Sequence, residues 1–178
     1  MEDYFKPKVL KNGRRKNKGL QFITKTAVLL AIVLAVQSLR LPSYITGPAV
    51  NCVLILATVF TGVWSGITIG CITPGVGLFM GIIPPAAAPL VPVIVAANIT
   101  FVFLFSLLDK LNRYFAWLGA AFGKFGVFYI CLNFLLDAIG IKVPAPLVVA
   151  FQLPQLYTAL AGGLLAVIIA RYLRQVLD

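Results

Sequence analysis

The sequence contains no histidine. That removes the side chain most often used as a general base near neutral pH and as a zinc ligand, and with it every Ser-His or Cys-His catalytic arrangement. Acids are nearly as scarce, with five Asp and Glu in 178 residues. Between Leu20 and Leu173 the only carboxylates are Asp109 and Asp137, so no acidic pair stands at a working spacing. The motifs HExxH and GxSxG and the phosphate-cradling Walker loop are missing too. No reaction, metal or cofactor is suggested, and the chain does not read as an enzyme. Three cysteines occur, Cys52, Cys71 and Cys131, all in apolar runs and none in a CxxC pair, which reads as buried thiols without a special task.

Charge of either sign is also in short supply. Only 11% of residues are charged, against 61% hydrophobic, and the mean hydropathy is +1.00. A soluble domain carries about 25% charged residues. A surface this poor in charge would not stay in water, so the bilayer is the solvent. A net charge of +10 fits nucleic-acid binding in general, but its distribution argues against it. Seven Lys and Arg fall between Lys6 and Lys18, ahead of the first apolar run, and most of the others sit at the ends of apolar runs. Membrane proteins place cations on their cytoplasmic segments in this way. Residues 1–19 are therefore expected as a basic cytoplasmic arm that touches anionic lipid. The apolar run after Leu20 is too long for the core of a signal peptide.

A helix needs about 20 apolar residues to cross the hydrocarbon core. Six apolar segments follow the arm, at 20–39, 48–61, 63–83, 89–108, 120–139 and 154–173. Pro48 suits the first turn of the second, and Gly62 separates the second from the third. With the N-terminus inside, six crossings leave thirteen cations inside (the arm, Lys25, Lys110, Arg113, Lys124, Arg171 and Arg174) and two outside, Arg40 and Lys142. Five crossings would move Arg171 and Arg174 outside and weaken this bias. The expected fold is all-α: a polytopic membrane protein whose residues 20–178 form a bundle of six transmembrane helices, with both termini cytoplasmic.

Small residues recur at helical spacing. Ala27, Ala31 and Ala35 share one face of the first helix, and Gly162, Ala166 and Ala170 share one face of the last. Such stripes let helices approach closely in lipid, whether inside one chain or against a partner. Gly62, Gly66 and Gly70 form a third stripe, followed by Thr73-Pro74-Gly75. Tight helix packing accounts for this stretch; the sharper reading is that Thr73-Pro74-Gly75 kinks the helix and frees a carbonyl beside a cavity, since broken backbone is tolerated in a membrane where protein or water satisfies it.

Polar residues inside the bilayer are costly. Asn51, Asn133, Asp137, Gln152 and Gln155 fall in the outer half of the expected bundle, Asn98 and Thr73 nearer the midplane, and Arg40 and Tyr44 in the first outer loop. Helix–helix hydrogen bonding accounts for any one of them. Their shared depth points to a pocket open to the outside, mainly apolar with a few placed polar groups. The candidate binding residues are thus Arg40, Tyr44, Asn51, Asn98, Asn133, Asp137, Gln152 and Gln155. Arg40 and Lys142 are the cations on offer to a ligand carboxylate or phosphate, or simply to water, and Tyr44 and Tyr157 are on offer for stacking.

With these features in place, the chain resembles the substrate-binding S components of energy-coupling factor transporters. The resemblance covers nearly all of residues 20–175. It rests on size, six helices with both ends inside, the basic arm, Ala27xxxAla31xxxAla35, Gly47-Pro48, and Gly62-Val-Trp-Ser-Gly66-Ile-Thr-Ile-Gly70 at the turn into the third helix. In the family a proline often stands where Val63 or Trp64 is found here. The resemblance implies a multi-pass protein of a prokaryotic plasma membrane that captures a vitamin-like nutrient from outside, with residues 40–47 as a lid. The face of Ala27, Ala31 and Ala35 would dock on a membrane coupling subunit driven by two cytoplasmic ATPases, so this chain would need no cofactor. Ligand groups vary within the family, and no binding residue transfers by motif. The alternatives are a stand-alone channel or secondary carrier, which would call for an ion path or an inverted repeat, and a membrane assembly protein without a ligand.

Overall fold

The computed structural model describes residues 17–177. The basic arm expected over residues 1–19 lies almost wholly outside the described residues. The described residues contain no strand, and their helices are α1 (Lys18–Ser38), α2 (Ser43–Phe60), α3 (Val63–Phe79), α4 (Val91–Leu108), α5 (Arg113–Ala138), a short α6 (Ala145–Phe151) and α7 (Leu153–Leu177). A 3₁₀ turn, Pro85–Leu90, leads into α4. Five of the helices are long and apolar enough to cross a membrane. Helix α3 is shorter at 17 residues, about 25 Å at 1.5 Å per residue. The fold is an all-α polytopic bundle.

The helix boundaries follow local chemistry. Gly62 adopts φ +118, which only glycine accepts readily, and ends α2 within two residues of the start of α3. Asn112 caps α5: its Oδ1 accepts from the backbone N–H groups of Tyr114 and Phe115 at 2.8 and 3.2 Å. This cap starts α5 at Arg113, seven residues before the expected start at 120. Helix α2 likewise begins at Ser43, so Pro48 lies inside it rather than at its first turn. Residues 43–47, expected as part of a loop, are the first turn of a helix. The 140–154 stretch holds the seven-residue α6.

Side-chain contacts fix the helix directions. Thr26 meets Ser65 and Gln37 meets Thr73, so α1 and α3 run in parallel. Gly47 faces Thr158 and Gly162 faces Asn51, so α2 and α7 are parallel. Val102 faces Gly66 and Asn98 faces Gly70, which sets α4 antiparallel to α3. The six long helices alternate. The described ends lie together with Gly62 and residues 109–112 at one end of the bundle (the terminus end), opposite the connections at 39–42, 80–90 and 139–152 (the loop end).

The small-residue stripes divide into two kinds. Gly162, Ala166 and Ala170 are buried, whereas Ala27, Ala31 and Ala35 are all exposed. A Cβ on Gly162 would run into the Pro48 carbonyl oxygen and stand 2.8 Å from the Asn51 Cβ, so the α2–α7 contact requires a glycine there. Gly162→Val is expected to lower the melting temperature in detergent by roughly 5 °C or more, the range for overpacking a tight contact. Gly75→Ala, where an added Cβ meets nothing within 4 Å, is expected to leave it unchanged. A thermal melt of both variants checks this.

Candidate functional site

A cavity of about 340 Å³ opens at the loop end and reaches the middle of the bundle. Its floor is built from one lysine and two amides. Lys124 is 2% exposed. Its Nζ donates to Asn51 Oδ1 at 2.7 Å and to Asn98 Oδ1 at 2.8 Å, and it stands 5.4 Å from the centre of the Phe101 ring. Amide dipoles and a ring face both favour a cation.

Each amide is held by its own second contact. Pro74 has no N–H to give to the carbonyl four residues earlier, Gly70 O. Asn98 Nδ2 donates to that oxygen at 3.0 Å, which aims Asn98 Oδ1 at Lys124. Gly70 permits the approach, since a Cβ there would stand 3.0 Å from the Asn98 Cβ. The proline–glycine segment thus frees a carbonyl beside a cavity and uses it to orient a polar side chain. On the other wall, Asn51 Nδ2 donates to Thr158 Oγ1 at 3.4 Å, and that hydroxyl donates to Gln155 O at 3.2 Å.

The rest of the wall is mixed. Ser43, Thr46 and Gln155 lie among Val50, Ile83, Ile94, Leu147 and Phe151. Gln37 Nε2 reaches Thr73 O at 3.5 Å. Gln37 Oε1 and the Thr73 hydroxyl are buried without a hydrogen-bond partner, and both residues line the cavity. Helix α6 contributes Leu147, Ala150 and Phe151, so part of the cover over the loop end comes from the 139–152 connection.

Of the eight residues named from sequence, Asn51, Asn98 and Gln155 line this cavity. The others do not. Arg40, at φ 50, donates from an exposed position to Met80 O at 3.2 Å and ties the first loop-end turn to the second. Tyr44 is 73% exposed, and Tyr157 is exposed as well. Asn133 sits in a π-helical turn of α5, Cys131–Leu135, and its Nδ2 donates to Tyr129 O at 2.8 Å on its own helix. Asp137 is exposed, and Gln152 is half-buried at the α6–α7 break. Lys142, one of the two cations on offer, is exposed too. The cation of the site is Lys124, which sequence reading assigned to the cytoplasmic edge. With Lys124 moved to the middle of the bundle, the cation bias becomes twelve against two, still strongly one-sided.

A second hollow of about 420 Å³ lies at the terminus end, lined by Asp109, Arg113, Arg171 and Arg174. It is a shallow surface groove among charged side chains, with Arg113 already paired to Asp109 at 2.8 Å. The loop-end cavity is the candidate site.

Family models, curated proteins and solved structures give no match to this chain. Function is therefore read from the site. Among the described residues no group of His, Cys, Asp and Glu is placed to hold a metal. What the cavity offers is shape, one buried cation, and hydrogen-bonding groups on an otherwise apolar wall. That is the make-up of a small-molecule binding pocket.

Proposed function

We propose that this chain is the substrate-binding subunit of an importer of the energy-coupling factor type. It would capture a small vitamin-like nutrient at the loop end, facing the outside of a prokaryotic plasma membrane. The observation that carries this reading is the cavity that opens at one end and closes on the Lys124–Asn51–Asn98 floor. Beneath the floor the bundle is packed: Leu54, Ile55, Ile69, Phe101 and Phe105 are fully buried. A channel would need a wet path continuing through that layer. The exposed Ala27, Ala31 and Ala35 give the reading its second support. They form a face of small side chains that the bundle itself does not use, suited to close helix packing with a membrane coupling subunit. Two cytoplasmic ATPases bound to that subunit would supply the energy.

Native mass spectrometry of the detergent-purified protein tests the binding step. A co-purified vitamin-sized mass, or a rise in melting temperature with one member of a panel of water-soluble nutrients, is the expected result. A protein that is empty and indifferent to the whole panel would favour an assembly role without a ligand.

A further inference from the structure

We infer that the loop-end cavity takes a small organic monocarboxylate whose anionic group docks on the Lys124 ammonium. This rests on the substrate-binding reading above and names its ligand class. An ammonium has three N–H donors. Two of those on Lys124 go to neutral amide oxygens, and the third has no acceptor among the described residues. Lys124 lines the cavity, so a ligand entering from the loop end meets it at the floor.

No carboxylate among the described residues offsets this charge. Asp109 is engaged by Arg113 at the terminus end, and Asp137 is exposed. Burying an ammonium without a counter-ion is costly, and an anionic partner that arrives with the ligand offsets part of that cost. One remaining N–H suits one carboxylate. A phosphate dianion calls for several donors and more positive charge. The other loop-end cations do not supply it, since Arg40 is turned to the Met80 carbonyl and Lys142 is exposed.

The buried, unpartnered atoms describe the rest of the ligand. Gln37 Oε1 can only accept, and the Thr73 hydroxyl can accept or donate. A ligand that satisfies them carries at least one N–H or O–H away from its carboxylate. Its body faces Val50, Ile94, Leu147 and Phe151, so it is apolar there. A cavity of about 340 Å³ lies at the small end of the range for ligand pockets. A single-ring or branched acid fits that description, and a polyanion does not.

The test is thermal melting of the detergent-purified full chain. The probes are hydroxy- and amino-substituted benzoates and branched aliphatic monocarboxylates, each beside its primary amide and its phosphate-monoester analogue. At least one acid is expected to raise the melting temperature while its amide does not. Lys124→Met should weaken binding of that acid by about thirtyfold or more, since it removes one partner of a buried charge pair. Asn51→Asp supplies a second variant that does not depend on losing the lysine. It puts a carboxylate at the 2.7 Å position now held by the amide oxygen, so it should raise the ligand-free melting temperature and abolish the response to the acid. A neutral amide that stabilises as well as its acid, or an Asn51→Asp protein that binds the acid as tightly as the parent, overturns the anionic ligand and leaves the binding-subunit reading standing. Response to a phosphate monoester alone overturns the carboxylate. Indifference to every probe, charged or neutral, overturns this inference, and the co-purified mass and nutrient panel described above then decide the binding reading separately.

Discussion

Asn98→Leu is expected to melt roughly 10 °C below the parent protein, from a loss of about 3 kcal/mol. The substitution is close in volume, so packing changes little. What changes is the hydrogen bonding of two buried groups. The Gly70 carbonyl, deprived of its helical donor by Pro74, loses Asn98 Nδ2. Lys124 loses one of its two amide acceptors. Leaving a buried polar group unpaired costs about 1–3 kcal/mol, and more when it is charged. The double variant Asn98→Leu with Pro74→Ala separates the two contributions. Alanine restores the N–H to α3, so the Gly70 carbonyl is satisfied within its own helix and part of the lost stability should return. Equal melting of the single and double variants would show that the freed carbonyl has no share in the effect.

The second large effect is expected in transport. Ala31→Trp should abolish nutrient uptake in cells and leave the melting temperature and ligand binding of the purified chain near those of the parent. Ala31 is exposed at the middle of the α1 stripe, so a large side chain there meets nothing inside the bundle. It would hold a docking partner's helix away from the backbone of α1. Ala166→Trp on α7 is the contrasting variant. Ala166 is fully buried, so that substitution should destabilise the chain itself. If Ala31→Trp transports normally, the exposed stripe is a lipid-facing surface and the coupling partner docks elsewhere.

The number and order of the membrane helices were legible because apolar length and cation placement are long-range properties that survive errors of a few residues. Depth along a helix is less forgiving. The apolar run around Lys124 invited a start at 120, which put this lysine near the membrane edge, where long cationic side chains commonly reach for water. The cap at Asn112 was the available signal for the true start: an Asn ahead of Arg-Tyr-Phe is a helix N-terminus by its own chemistry. Counting from Arg113 puts Lys124 in mid-helix, where a cation calls for an explanation. The role of Pro74 was visible as a freed carbonyl, but its user, Asn98, stands 28 residues away along the chain from Gly70. Only tertiary packing joins them. Asn133 illustrates the opposite error. At the expected depth it looked like a pocket residue, yet a wide turn in α5 exposes the carbonyl of Tyr129 and the side chain is used there.

The floor of the cavity also bears on how the chain is made. A lone helix carrying a lysine at its centre enters the bilayer at a cost of roughly 2.5–3.5 kcal/mol on insertion scales. Helix α5 has that character, but α2 and α4 precede it in the chain, and they carry Asn51 and Asn98. Both acceptors have therefore left the ribosome before Lys124 emerges. Synthesis in this order lets α5 enter beside helices already able to solvate its charge, so the amides that hold Lys124 in the finished cavity are in place before the helix that carries it is made.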